Sequence, residues 1–213
     1  MKISQLCEVS GVSVPSIKFY LREGLLPAGE HTSATQASYD DIHVERLRLI
    51  RALIDVGGLS IATARRVLEA VDTTDLPLTY VFGIAQFAIS DASLYDTVDP
   101  GSTGLAIVDA AIQRRGWTVS DENPGRHGAA RILDTYETLG HENLATLSEN
   151  YLDAAELIAR ADLDAVAQSR EVADMAEVVV VGTVLGDGLV SSLRRMAQQH
   201  ISNELFPPTI SPN

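Results

Sequence analysis

Residues 9–27 read VSGVSVPSIKFYLREGLLP. Ser10-Gly11 stops one short helix, in which Leu6, Val9 and Val12 recur at helical spacing and Ser4 is the predicted N-cap. Ser13 caps a second helix with Pro15 in its first turn, where a missing N–H costs nothing. Val14, Ile17, Tyr20 and Leu21 give that helix an apolar stripe, and Gly24 ends it. Helix, tight turn, helix is the helix-turn-helix pattern, whose second helix enters the major groove of DNA. Ser13, Ser16, Lys18, Phe19 and Arg22 lie away from the Ile17/Leu21 stripe, and Lys18 and Arg22 are i, i+4 neighbours. Two cations beside small hydroxyls suit phosphates and base edges. On spacing alone, a small helical hairpin with solvated charges fits as well.

Outward from this stretch, Pro27 to Ser38 has no helical period and reads as a loop or short hairpin. Tyr39-Asp40 leads into a helix predicted over 40–56, Gly57-Gly58 breaks it, and Ser60 caps another over 60–71. Asp72 to Pro77 is a polar, proline-ended linker. Beyond it, helices are predicted over 78–96, 102–115, 125–139, 141–160 and 164–203, the last one split. The valines at 178–181 fit a buried helix better than a strand, given their flanks. The fold class is therefore mainly α. The predicted domains are a winged helix-turn-helix domain at 1–72 (four helices and a short wing), a linker at 73–77, an all-helical dimerisation and effector domain at 78–206, and a flexible tail at 207–213.

Composition narrows the function. The chain has 213 residues, 46% hydrophobic and 21% charged, which excludes a mainly disordered chain. No stretch reaches about 18 uninterrupted apolar residues, so no membrane span is expected; Glu177 and Asp187 interrupt the longest, Met175 to Val190. The start MKISQLCEVSG lacks a basic-then-apolar secretory pattern, so a cytoplasmic location is expected. One cysteine, Cys7, forms neither an internal disulfide nor a thiolate metal site and reads as a structural thiol. His31, His43, His127, His141 and His200 lack metal-ligand spacing. No nucleophile elbow or phosphate loop is present, so the reading is not an enzyme and calls for no cofactor and no metal. The net charge of −13 is uneven: residues 1–72 carry 8 basic and 9 acidic side chains, residues 73–213 carry 8 and 20. Such asymmetry implies two parts with different partners.

The longer string is more specific. Residues 9–27, then Tyr39, then DDIHVERLRLIRALIDVGGLSIATARRVLEA over 40–70, resemble the DNA-binding domain of the MerR family of bacterial transcription regulators. Phe19-Tyr20, Glu23-Gly24-Leu25-Leu26-Pro27, Tyr39, Glu45-Arg46-Leu47 and Gly58-Leu59-Ser60-Ile61 stand in that family's order, over about residues 2–70. The resemblance implies a homodimer on a pseudo-palindromic operator in double-stranded DNA, distortion of promoter DNA, and RNA polymerase as a partner at the promoter. It places Lys18 where an arginine reaches DNA and Tyr20 where a hydroxyl meets phosphate. Ser13 and Ser16 face the groove; His31, Thr35, Gln36 and Ser38 fall on the wing, flanked by Tyr39. Arg46 and Arg48 start the second helix pair, and Arg46 either holds the wing or touches DNA.

This chain departs from the family pattern in three places. Pro15 stands where many members carry an arginine, and the usual Gly-Tyr-Arg of the wing reads Thr35-Gln36-Ala37. Fewer phosphate contacts mean weaker binding with a flatter salt dependence. After Pro77, residues 78–89 are apolar nearly all round and lack the seam of the family's antiparallel coiled coil. Dimerisation is therefore expected within 78–213. Tyr95, Trp117, Tyr136 and Tyr151 are candidate lining for a small apolar or cationic effector, or they simply fill the core. Two other functions remain open: an excisionase-like DNA-bending protein, and a ligand-binding module with a degenerate DNA-binding part.

Overall fold

The computed structural model describes residues 1–33, 36–73, 76–90, 99, 101–144, 149–169 and 172–206. They form two compact units, Met1–Leu68 with the stretch from Val181, and Glu69–Val180.

In the first unit, helix α1 (Ile3–Ser10) begins earlier than the sequence predicts. Its cap is Lys2, not Ser4, and the Lys2 N–H donates to Gln5 Oε1 at 2.8 Å. A glutamine three residues on thus serves the helix start without a serine cap. Gly11, at φ 69°, ends α1 in the left-handed region that a side chain would strain. Ser10 Oγ donates to the Leu6 carbonyl at 2.6 Å and accepts from Val12 N at 3.2 Å, so the turn is hydrogen-bonded throughout. Helix α2 (Val14–Arg22) follows, capped by Ser13 with Pro15 in its first turn. Strands β1 (Glu30–Ser33) and β2 (Gln36–Ser38) pair antiparallel as the wing, Glu30 opposite Ser38 and His31 opposite Ala37.

Helix α3 (Asp41–Arg51) and a π-helical turn (Ala52–Val56) replace the single predicted helix, and α4 (Ile61–Asp72) follows. Ser60 caps α4 by accepting from Thr63 N at 3.1 Å. Leu6, Ile17, Leu25, Leu47, Ile50 and Leu53 are all 0% exposed and form the core that fixes α2 against α1 and α3. Burying one such side chain contributes about 1.5–3 kcal/mol. At the end of the π turn, a Cβ on Gly57 would stand 2.4 Å from Val184 Cγ1. Only a glycine leaves room there for buried Val184 of the last helix.

In the second unit, α5 (Leu78–Ile89), α6 (Thr103–Arg115), α7 (Pro124–Thr138) and α8 (Glu149–Ala167) precede α9 (Val172–Leu205), which from Val181 onward belongs to the first unit. Leu105, Val108, Ala130 and Leu133 form a buried cluster between α6 and α7. Gly104 permits this close crossing: a Cβ there would lie 2.1 Å from the Ala130 carbonyl oxygen, and its N–H donates to Asp134 Oδ1 at 2.7 Å. Arg114 and Arg115 reach Glu149, and Arg115 reaches Asp153 at 2.6 Å, tying α6 to α8. Several boundaries differ from the sequence reading: α5 ends at Ile89 rather than 96, and α8 starts at Glu149 rather than 141, residues 141–144 forming a turn. α8 runs through 160–164 because no glycine or proline interrupts it. The span predicted over 164–203 is split as expected, α8 ending at Ala167 and α9 starting at Val172, and α9 itself runs unbroken because Gly182, Gly186 and Gly188 weaken a helix without stopping it. By length and hydropathy α9 also qualifies as long and apolar enough to cross a membrane, contrary to expectation, although a buried core helix of a soluble protein meets the same test. Asp187, Arg194 and Arg195 on it would all be costly in hydrocarbon.

Asp109 accepts two bonds from Arg126, Nε to Oδ1 at 2.7 Å and Nη2 to Oδ2 at 2.8 Å. These hold its carboxyl below the ordinary value of 3.8, against the opposing pull of desolvation. A depressed folded value gives stability that is present above the unfolded pKa and lost as pH falls through the folded one. The full chain should lose thermal stability below about pH 4, and Asp109→Asn should flatten that acid limb while lowering the plateau above it. Identical acid limbs in melts of the two proteins would refute this.

Candidate nucleic-acid interface

Pro15, Lys18, Phe19 and Arg22 occupy i, i+3, i+4 and i+7 of α2, opposite buried Ile17. Pro15, Lys18 and Arg22 are exposed; Phe19 is half-buried. At the head of the helix, Ser13 Oγ accepts from Ser16 N at 3.2 Å and lies 2.8 Å from Ser16 Oγ. Both hydroxyls are thus engaged with the helix start and with each other. Arg22 lies over the Phe19 ring, 5.2 Å from its centroid, with Nε 3.4 Å from Glu23 Oε1. Glu23 also meets Arg65 at 3.7 Å. The stacked, part-neutralised Arg22 is held in place, whereas exposed Lys18 makes no ion pair among the described residues. Phe19 and Tyr20 meet edge to face at 5.8 Å. Burial, then the Asp55 carboxylate, raises the Tyr20 hydroxyl above its ordinary value, while Arg51 opposes them. Tyr20 therefore stays a neutral hydroxyl, able to donate to a phosphate oxygen.

On the wing, His31 and Gln36 are exposed and Ser38 is half-buried. Thr35 lies outside the described residues. Tyr39 corrects the sequence reading: it is 8% exposed and faces the core, not solvent. Its N–H donates to the Met1 carbonyl at 2.8 Å, its ring meets His43 edge to face at 5.1 Å, and Gly29 packs against it, a Cβ there falling 2.9 Å from the ring. Sequence reasoning missed His43. This buried imidazole has Nδ1 2.6 Å from Asp40 Oδ1, and that bond holds the Asp40 carboxyl below its ordinary value. Asp40 also caps α3, accepting from His43 N at 3.3 Å. The Asp-x-x-His spacing at a helix start was the available signal. Arg46 Nε donates to the Leu25 carbonyl at 2.9 Å, joining α3 to the chain leaving α2. Arg48 is exposed.

The described candidate effector residues lie on or beside three helices. Trp117 is half-buried just beyond α6 and donates to Glu156, Tyr136 is half-buried on α7, and Tyr151 on α8 is 61% exposed. Tyr95 lies outside the described residues. No cluster of three or more metal-ligating side chains occurs among the described residues. On the candidate interface, Pro15, Lys18 and Arg22 share one exposed face of α2.

Residues 1–71 match the family model described as MerR HTH family regulatory protein. Over 75 residues the chain is 37% identical to the nodulation protein NolA of Bradyrhizobium elkanii, a match covering 35% of this chain and 33% of NolA. Over 110 residues it is 30% identical to the HTH-type transcriptional regulator MerD of Shigella flexneri, covering 52% of this chain and 84% of MerD. The crystal structure of SCO5550 from Streptomyces coelicolor A3(2), a protein assigned as a transcriptional regulator, superposes with a TM-score of 0.70 at 31% identity, covering 99% of this chain and 100% of that one.

Replacing Arg46 with Met keeps its length and removes the donor to Leu25. The expected cost is about 1–3 kcal/mol in urea unfolding, from a part-buried carbonyl left without its partner. An unchanged midpoint would show that the bond does not hold the end of α2.

Proposed function

This chain belongs to the MerR family of DNA-binding transcription regulators, and on that premise we propose that it acts as a homodimer on a pseudo-palindromic operator. Each α2 enters the major groove of one half-site with the wing beside it, and the duplex between the half-sites is deformed so that promoter elements realign for RNA polymerase. One observation carries the placement: Lys18 and the Tyr20 hydroxyl sit on an α2 whose apolar side is locked by Ile17 at 0% exposure. The relatives with regulator names support regulation as the output and no enzymatic role.

The dimer reading rests on α9. From Asp187 onward this helix is exposed, apart from half-buried Val190 and Ser191, with Leu189 61%, Leu193 54%, Met196 67%, Ile201 49% and Leu205 66% exposed along it. Gly186 and Gly188 weaken this helix at the base of its exposed part, and packing of its apolar side is what would stabilise it. A second copy packed antiparallel against this helix would cover Leu189, Leu193 and Met196, which at i, i+4 and i+7 share one face. The stripe takes the place of the coil that Pro77 breaks. Since Val184 of the same helix sits against Gly57, the dimer contact would set the separation of the two α2 helices. An operator spacing of about one helical turn, 34–36 Å, is the geometry such a pair must match.

Two measurements test this reading. In gel shifts against the chain's own upstream DNA with salt titration, Lys18→Ala should cost about 1–3 kcal/mol if the ammonium reaches a base, or lower the salt slope by about 1 if it reaches phosphate. Unchanged binding by both Lys18→Ala and Tyr20→Phe would remove α2 from the groove. In sedimentation of the full chain, the wild type should be a dimer at micromolar concentration and Leu193→Asp with Met196→Asp a folded monomer. A wild-type monomer, or a dimer that survives both substitutions, would overturn the α9 interface.

A further inference from the structure

We propose that Pro15 is a base-reading residue and that it reads the 5-methyl group of a thymine. The inference rests on α2 lying in the major groove, as proposed above, and adds what its leading end recognises. Residues at the N-terminal end of a recognition helix meet base edges. At that end the two serine hydroxyls are tied to the helix start and to each other, which leaves one O–H of the pair free, and the exposed residue between them is apolar. Ser13 Oγ already accepts from Ser16 N at 3.2 Å, and the two serine hydroxyls are 2.8 Å apart and bond each other. Pro15, between them in sequence and exposed, has no N–H and no polar side-chain atom. It lies one turn before Lys18 and Phe19 and two before Arg22, on the same face.

A saturated ring distinguishes base pairs in the major groove only by apolar contact. The apolar feature of that groove is the thymine methyl; guanine, cytosine and adenine present donors and acceptors there. Placing the ring over any of those three would desolvate a polar edge with no partner to replace the water. The ring is also held rigidly. Proline fixes its own φ, and the Ser13 cap fixes the turn around it, so little conformational freedom is lost on contact. Pro15 should therefore favour an A·T pair at one position of each half-site.

The test uses the full chain and an operator duplex selected by it from a randomised pool. Each thymine is replaced singly by deoxyuridine, which deletes only the 5-methyl group. One position per half-site should weaken binding about four-fold on replacement, the worth of one buried methyl. In Pro15→Ser the thymine-to-uracil ratio at that position should fall to about one. The ratio is internal to each protein, so a general loss of stability or affinity in the variant cancels. Pro15→Arg should in turn shift the selected base there to guanine, by about tenfold, through paired bonds to O6 and N7. Neutral replacement at every thymine, or a ratio that survives in Pro15→Ser, would overturn the inference while leaving DNA binding intact. Failure of the wild type to enrich any duplex would overturn the groove reading itself, and this inference with it.

Discussion

The carbonyl of Leu25 points into the fold and accepts from Arg46 Nε at 2.9 Å, and the placement of α2 depends on that bond. Leu25 and Leu26 are buried, and their amides donate to the Tyr20 carbonyl, so the chain turns back sharply as soon as α2 ends. A backbone carbonyl buried beside them needs a donor. Arg46 supplies it from the middle of α3, whose neighbour Leu47 is itself fully buried. One side chain thus locks the exit of α2 to the helix behind it while Ile17 locks its middle. The exposed face of α2 is then presented at a fixed angle, which a reading helix needs before any base contact has value.

Much of this region is legible in the sequence because local chemistry decides it. Gly11 and Gly24 lie at positive φ, Ser13 caps α2, and Pro15 sits where its missing N–H is harmless. Each position carries its own signal within three or four residues. The misreadings share a different cause. The sequence reading groups Tyr39 with the DNA-facing residues because the family resemblance sets it beside the wing. Its burial comes from Gly29, ten positions earlier, and from His43, and no local pattern announces the first of these. The π turn before Gly57 follows α3 without a break in the apolar pattern, and its neighbour Val184 lies more than a hundred residues away. The end of α8 was misplaced because its alanines and aspartates give a weak period. Contacts between distant segments are set by packing, and periodicity within one window does not contain them.

Charge on the reading face is scarce, and what exists is partly committed. Arg22 is stacked on Phe19 and shares Glu23 with Arg65; Arg51 is paired with Asp55 at 2.9 Å. Lys18 remains the exposed cation at the centre of α2. Sequence-independent affinity for DNA comes from cations that replace counterions on phosphate. A face with few such cations binds random DNA poorly, and the acidic remainder of the chain repels it at long range.

This scarcity bears on specificity more than on strength. A regulator competes against a genome of wrong sites, and what matters is the ratio of specific to non-specific binding. Removing phosphate contacts lowers both terms alike and leaves the ratio to contacts that distinguish bases and to the shape of the duplex. An apolar ring and one lysine on a rigid helix can discriminate, but each is worth only about 1–3 kcal/mol. Two such helices held at a fixed separation multiply their discrimination, because both half-sites must fit together. The sparse face of α2 and the long exposed stripe of α9 are therefore complementary features. In the homodimer proposed above, the first would keep the single unit weak on random DNA, and the second would give the two-fold assembly the means to recover affinity where both half-sites are present.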